Sequence, residues 1–269
     1  MIRTAAILAA GLGTRMQRAD DAVPLEASRE AAARQGLKGM IPIKRPFLDY
    51  VLSALAEAGI FEVVLVLGPN HDAVRRYFTH ESPPQRVRIR FAEQATPLGT
   101  ADAVCCAASV IGEEPFLVLN ADNYYPVEAL RALAAEQSAG TVAFDREALV
   151  ALGNITTERV RAFAILTVSD DERLVGIREK PGADVDLTSE EARWVGMNCW
   201  AVTPALVAAC AAVPRSARGE LELPEAVGLA IQHGVPIRAI RMAAPVLDLS
   251  QRSDIASVVV HLAAVEPMP

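Results

Sequence analysis

At 269 residues, 52% of them hydrophobic and 22% charged, the chain is long and apolar enough to bury a sizeable core without a disulfide or metal staple. A formal charge of −7 and no long basic stripe exclude extended contact with a nucleic-acid backbone, so an anionic ligand must be met by positive groups gathered locally. Cys105, Cys106, Cys199 and Cys210 form no C-x-x-C pair and no zinc-ligand spacing with histidine, and read as reduced thiols of a cytoplasmic protein. The N-terminal apolar stretch, roughly seven residues, is shorter than a secretory h-region, and no run approaches the ~20 residues of a membrane helix, so no membrane role is expected.

In chain order, apolar runs bounded by turn residues alternate with helical periodicity, the pattern of a mainly parallel sheet covered on both faces. Residues 5–9 predict a buried strand, broken by Gly11-Leu12-Gly13-Thr14-Arg15. The polar stretch 17–37 follows, with a short helix over 25–34; it reads either as a surface insertion or as a flap over a ligand held at the neighbouring glycine turn. Helices are expected over 47–58, 71–78 and 101–111, and strands over 62–67, 88–92 and 116–119. Strands over 141–144, 160–168 and 174–178 come next, the last two flanking Ser169-Asp170-Asp171-Glu172 as a hairpin. A strand over 194–202, helices over 204–212 and 223–233, a strand over 237–242 and a last helix from Ser250 complete one α/β domain without internal repeats. The apolar stretch 255–265 suits a packed helix and would also serve a homo-oligomer contact.

Several residues in this frame carry chemistry. The turn in AAILAAGLGTRM (residues 5–16) exposes backbone N–H groups and the Arg15 guanidinium to a phosphate, because two glycines let the main chain approach without Cβ interference. It lacks the third glycine of G-x-G-x-x-G and the Lys-Ser/Thr ending of a P-loop, which argues against a nicotinamide dehydrogenase and a P-loop ATPase. Of 26 basic residues only Lys38, Lys44 and Lys180 are lysines, and a lysine kept in a chain that otherwise uses arginine suggests a need for a compact point charge. Asp122 ends an apolar strand at the edge where α/β sheets hold ligands, and Asp248 stands at an equivalent strand end. Either alone would serve as a helix N-cap. His71, His80, His233 and His261 have no ligand spacing and read as helix or surface residues.

GLGTRM and KGMIPIKRPFLDYVLSALAEAG, followed in order by EQATPLGTADAV, FLVLNADNYYP, GIREKP, WVGMNCW, RGELELPEA and VLDLSQRSDI, resemble the signature blocks of the sugar-phosphate nucleotidyltransferases, among them glucose-1-phosphate thymidylyltransferases and UTP–glucose-1-phosphate uridylyltransferases. The resemblance spans nearly the whole chain. It implies a three-layer α/β/α Rossmann-like nucleotidyltransferase fold with a mainly parallel mixed sheet, one domain over 1–269, with a nucleotide-binding half (1–125) and a sugar-phosphate-binding half (126–269). It implies Mg²⁺-dependent transfer of a nucleoside monophosphate to a sugar-1-phosphate, with pyrophosphate leaving. Carried over residue by residue, it assigns nucleotide binding to Ala10, Gly11, Gly13, Thr14, Arg15, Gln94, Gly99 and Thr100, and catalysis to Arg15, Lys38 and Asp122. Asp122 and Asp248 match the metal ligands, and Glu179, Lys180, Gly196 and Asn198 the sugar-phosphate side. Lys44 falls near a second family lysine at a shorter spacing, and a surface role suits it equally.

The Gln94 amide can pair with N3–H and O4 of uracil or thymine, whereas cytosine presents the opposite pattern, which favours UTP or dTTP; an amide can also flip. Hexose-using members carry glycine near the position of Phe163-Ala164 and an aromatic where Asn198 stands, so a phosphorylated alcohol or amino sugar stays open as acceptor. The rival readings are a cytidylyltransferase acting on phosphocholine or another phosphorylated alcohol, and a non-catalytic nucleotide-sugar-binding module.

Overall fold

A computed structural model describes residues 1–18 and 25–269. The flap expectation for the 17–37 stretch falls partly on 19–24, outside the described residues. Strand β1 (Thr4–Leu8) leads through the glycine turn into α1 (Thr14–Gln17) and α2 (Ala27–Gln35). After them come α3 (Phe47–Glu57), β2 (Glu62–Leu67), α4 (Asp72–Arg76), β3 (Arg88–Glu93), α5 (Thr100–Ile111) and β4 (Phe116–Asn120). The chain continues through β5 (Asn123–Tyr124), α6 (Val127–Ala134), β6 (Ala139–Asp145), α7 (Arg146–Leu152), β7 (Ala164–Val168) and β8 (Leu174–Arg178). It closes with β9 (Trp194–Val202), α8 (Pro204–Ala212), α9 (Leu223–Gln232), β10 (Ile237–Met242), β11 (Leu247–Asp248) and α10 (Asp254–Leu262).

The short apolar runs are strands because both of their faces are buried. Along β1, Ala5 and Ile7 point into one apolar layer and Ala6 into the other; Val63, Leu65 and Leu67 of β2 alternate with Val64 and Val66 in the same way. Helices α3, α6 and α10 cover the first face and α5, α8 and α9 the second, which makes three layers, α/β/α. Each fully buried Val, Leu or Ile contributes about 1.5–3 kcal/mol, so the strand interiors dominate the stabilisation.

The main sheet runs β10-β6-β9-β4-β1-β2-β3, with β7 also on β9 and β8 on β7. Pairs β1–β2, β1–β4, β2–β3 and β6–β10 are parallel; β9 runs antiparallel to β4, β6 and β7. The chain moves from β1 outward to β3 and then returns to the other side of β1 with β4. That reversal opens a crevice at the carboxyl ends of β1 and β4, where the glycine turn and Asp122 stand.

The hairpin over 164–178 forms as expected, but residues 158–162 are a 3₁₀ turn instead of the start of its first strand. The last helix begins at Asp254, not Ser250, because the Asp254 carboxylate accepts from the N–H groups of Ser250 and Gln251, each at 2.9 Å, and holds that turn outside the helix. The helix expected over 71–78 is α4, continued by a π turn at Tyr77–Glu81.

Candidate active site

The two glycines of the turn act differently. Gly11 has open space where its Cβ would lie, so its main chain is free for a ligand. Gly13 sits at φ +61, and a Cβ there would strike the Gly36 carbonyl; Gly36, at φ +71, meets the Leu12 carbonyl as closely. This backbone contact docks the end of α2 on the turn and brings the 3₁₀ turn Lys38–Met40 to the crevice. There Lys38 Nζ lies 2.6 Å from Asp122 Oδ2, with both side chains less than a fifth exposed.

Asp122 and Asp248 are neighbours through a two-stranded ribbon: β5 pairs antiparallel with β11, Asn123 opposite Asp248, and Leu249 N donates to Asp122 O at 2.8 Å. Asp248 is 2% exposed. Its Oδ1 accepts from Asn123 Nδ2 (3.1 Å) and Ser250 Oγ (2.9 Å), and its Oδ2 from the Arg159 guanidinium, which also reaches Asp254. Asn154 clamps the Asp248 main chain with two hydrogen bonds of 2.8 Å. Burial, then the Asp122 charge, push the Asp248 carboxyl up to about 6, against the pull of Arg159. Two adjacent carboxylates, one of them buried, fit a small divalent cation, and among the described residues no cluster of three or more His, Cys, Asp or Glu offers a protein-only cage. The donor set therefore suits Mg²⁺ completed by phosphate and water oxygens.

Two adjoining cavities share Leu8, Gly11, Gly13 and Asp122. One, about 460 Å³, lies over Lys38; the other, about 1020 Å³, is lined by Ala10, Gly11, Thr14, Gln94, Gly99, Thr100 and Glu220. Gln94 is 4% exposed just past β3; its N–H bonds Leu67 O, and its Nε2 donates to Gly99 O (2.9 Å) and Asp102 Oδ2 (2.7 Å). Gly99 adopts φ +123, where a Cβ would collide with the Leu221 main chain, and Thr100 Oγ1 accepts from Leu223 N at 2.9 Å. The 218–223 segment is thus laid across the rim of the larger cavity.

On the far side of that segment lies a charged cluster. Glu179 is raised by burial and by Glu222, and lowered by Lys180 and Arg218. Lys180 Nζ is 3.6 Å from Glu179 Oε1, and Arg218 Nε donates to Glu222 Oε1 at 3.1 Å. Lys180 holds φ +44 directly before Pro181, and Asn198 holds φ +53 at an irregularity of the β6–β9 ladder, left-handed conformations at two of the residues expected on the sugar-phosphate side.

The nucleotidyl transferase family model matches residues 4–244. The chain belongs to the nucleotidyl transferase family. A glucose-1-phosphate thymidylyltransferase of Streptomyces antibioticus is 29% identical over 237 residues, covering 88% of this chain and 59% of the relative. A UTP–glucose-1-phosphate uridylyltransferase of Bacillus subtilis is 31% identical over 148 residues, covering 47% of this chain and 46% of the relative. The chain spans about 59% of the length of the thymidylyltransferases it matches. In fold it is similar to a UDP-glucose pyrophosphorylase complexed with UDP-glucose, with a TM-score of 0.76 at 17% identity over 99% of this chain and 100% of the other. A UTP-bound UGPase from Acinetobacter baumannii gives 0.74 at 22% identity, over 99% and 96%.

In this member of the nucleotidyl transferase family, Lys38 and Asp122 meet at the glycine turn beside the cavity of Gln94, Gly99 and Thr100, and Asp248, joined to the Asp122 segment by the β5–β11 ribbon, lines neither cavity. Lys180 and Glu179 do not line either cavity; they connect to the larger one through 218–222. Arg15 stands exposed on α1 and lines neither cavity. Gly196 is buried, and a Cβ there would lie 3.1 Å from Leu166 Cδ2. Lys44 pairs with Glu266 on the surface at 2.7 Å. His71 is a packed residue, its Nδ1 accepting from Gly68 N at 3.2 Å. Arg159, Asn154, Gly36, Asp102 and Arg218, the partner of Glu222, go unread in the sequence. RGELE offered a signal for the last, whereas nothing in GNITTERVRA announces Arg159.

Proposed function

We propose that this chain transfers a nucleoside monophosphate from a nucleoside triphosphate, UTP or dTTP favoured, to a sugar-1-phosphate, with Mg²⁺ as cofactor. The observation that carries this reading is the contact of Lys38 Nζ with Asp122 Oδ2, 2.6 Å apart, between the glycine turn and the buried Asp248. A phosphate oxygen of the sugar-1-phosphate attacks the α-phosphorus. The bond from that phosphorus to the bridging oxygen breaks, and pyrophosphate leaves with the electron pair. Such a step needs alignment and charge neutralisation more than covalent help from the protein.

Main-chain N–H groups of residues 10–14 cradle the triphosphate. Lys38 swings from Asp122 to the α-phosphate and balances charge as the bond breaks. Arg15, exposed on α1, turns toward the departing phosphates. Gln94 reads the base, and Glu179 and Lys180, backed by Arg218, take the sugar hydroxyls and phosphate. Bound at Asp122 and Asp248, Mg²⁺ supplies further neutralisation of phosphate charge. The thymidylyl- and uridylyltransferases among the relatives support the reaction class.

The test is pyrophosphate release across a panel of sugar-1-phosphates with UTP, dTTP and CTP. Lys38→Ala and Asp122→Ala are expected to cut turnover about 10²–10³-fold in chains that keep their circular dichroism, as expected for removed transition-state charge stabilisation. Near-parental turnover in either folded variant removes that residue from the mechanism, and no release with any pair rejects the reaction itself.

A further inference from the structure

Asp102 lies in the first turn of α5, outside every role assigned so far, and its carboxylate is 2.7 Å from Gln94 Nε2. Gly99 O takes a second hydrogen bond from the same nitrogen at 2.9 Å. Both partners only accept: a carbonyl oxygen has no proton, and neither has an ionised carboxylate. Turning the amide over would set its oxygen against two acceptors at hydrogen-bond distance, one of them charged. The amide therefore has one orientation. Its Nε2 is spent inward, while among the described residues nothing donates to Oε1 and Oε1 is not an orphaned buried atom, so it keeps access to the cavity that Gln94 lines.

We propose that Asp102 is a specificity-determining positioning residue: it locks the Gln94 amide so that this side chain offers the base an acceptor and no donor. Uracil and thymine present N3–H to such an acceptor and gain a hydrogen bond. Cytosine presents a lone pair at N3 and meets repulsion. This rests on Gln94 reading the base, as proposed above, and explains how a side chain that can flip discriminates at all. An acid in a first helical turn also favours the helix dipole. That role is blind to the nucleotide.

The experiment titrates the full-length chain with UTP, dTTP and CTP in the presence of Mg²⁺ by calorimetry, which holds base size nearly constant and needs no knowledge of the acceptor sugar. The parental chain is expected to bind UTP or dTTP tighter than CTP. Asp102→Asn, with Asp102→Ser as a second variant accepted by first helical turns, is expected to shrink the CTP-to-UTP ratio of dissociation constants about tenfold, the scale of one charge-assisted hydrogen bond. A ratio unchanged in folded variants overturns the proposal, because a merely structural loss weakens both nucleotides alike. A parental chain that favours CTP overturns the reading of Gln94 itself, and that outcome is seen before any variant is made.

Discussion

Asp248 holds its carboxyl near 6 because burial and the adjacent Asp122 both disfavour its ionised form. The sign follows directly. Between the ordinary carboxylate range and about 6 the folded chain binds a proton that the unfolded chain has released, so this group's contribution to stability falls as pH rises through about 6. A divalent cation favours the ionised form and reverses the trend. Mg²⁺ is therefore expected to raise the melting temperature at pH 7.5, by about 5 °C at a hundredfold excess over its dissociation constant, and far less at pH 5. In Asp248→Asn the shift is expected to vanish at both. Thermal unfolding at the two pH values, with and without Mg²⁺, reads this, and a pH-independent shift would remove Asp248 from the metal set. Lys38 and Asp122 were legible because each stands in a motif, Lys38 in a chain with only three lysines. The partners that make Asp248 what it is, Arg159, Asn154, Asn123 and Ser250, were not. They reach it from separate segments, and a single polar side chain has no periodicity that betrays its target.

At the scale of elements, strands were read nearly to the residue both where two faces are buried, as in β2, and where turn residues bound a one-sided strand, as in β8 and β10. Helix α7 escaped because it starts on the last residue of β6 with no loop between them. Asp145 ends the strand and caps the helix, accepting from the N–H groups of Glu147 (2.9 Å) and Ala148 (3.1 Å), a cap that the sequence did contain. The 158–162 turn escaped for a tertiary reason: the run VRAFAILTV invites a single strand, but Arg159 is drawn to Asp248 and Asp254 and breaks it. Helix α2 is held in a comparable way. Arg252, 4% exposed, donates to Met16 O at 3.0 Å and pairs with Glu30, so one buried guanidinium joins α1 to α2. The Arg252 and Arg34 partners hold the Glu30 carboxyl at about 2, so this docking is complete above the ordinary carboxylate range and is lost as pH falls toward 2. Arg252→Gln is expected to release α2. Losing this charged hydrogen bonding raises the open population roughly tenfold, read as faster tryptic cleavage after the exposed Arg34. Unchanged cleavage would mean that the Gly13–Gly36 contact and Arg29, which donates to Pro42 O at 2.9 Å, carry the docking without Arg252.

For the molecule as a whole, the proposed nucleotide half (1–125) and sugar half (126–269) would divide the ligands, and the packing argues that they do not divide the folding. Strand β9, from the second half, lies between β4 of the first and β6 of the second, and also carries β7. Both apolar layers draw on both halves: Ile7 and Val195 belong to one, Ala6 and Trp200 to the other. Removing β9 from β4 would expose a strand edge and strip the sheet's centre of its cover. Chains of this length commonly unfold through intermediates, but here neither half has a layer of its own to keep. The two tryptophans report on the seam, since both lie in β9, Trp200 fully buried against β4 and β6 and Trp194 half-buried at the strand's start. Urea unfolding followed by tryptophan fluorescence and by far-ultraviolet circular dichroism is therefore expected to give one coincident transition. A fluorescence change that precedes the loss of helix, with a plateau between them, would show that β9 detaches while the glycine-turn half stays folded, and the two halves would then be separate cooperative units.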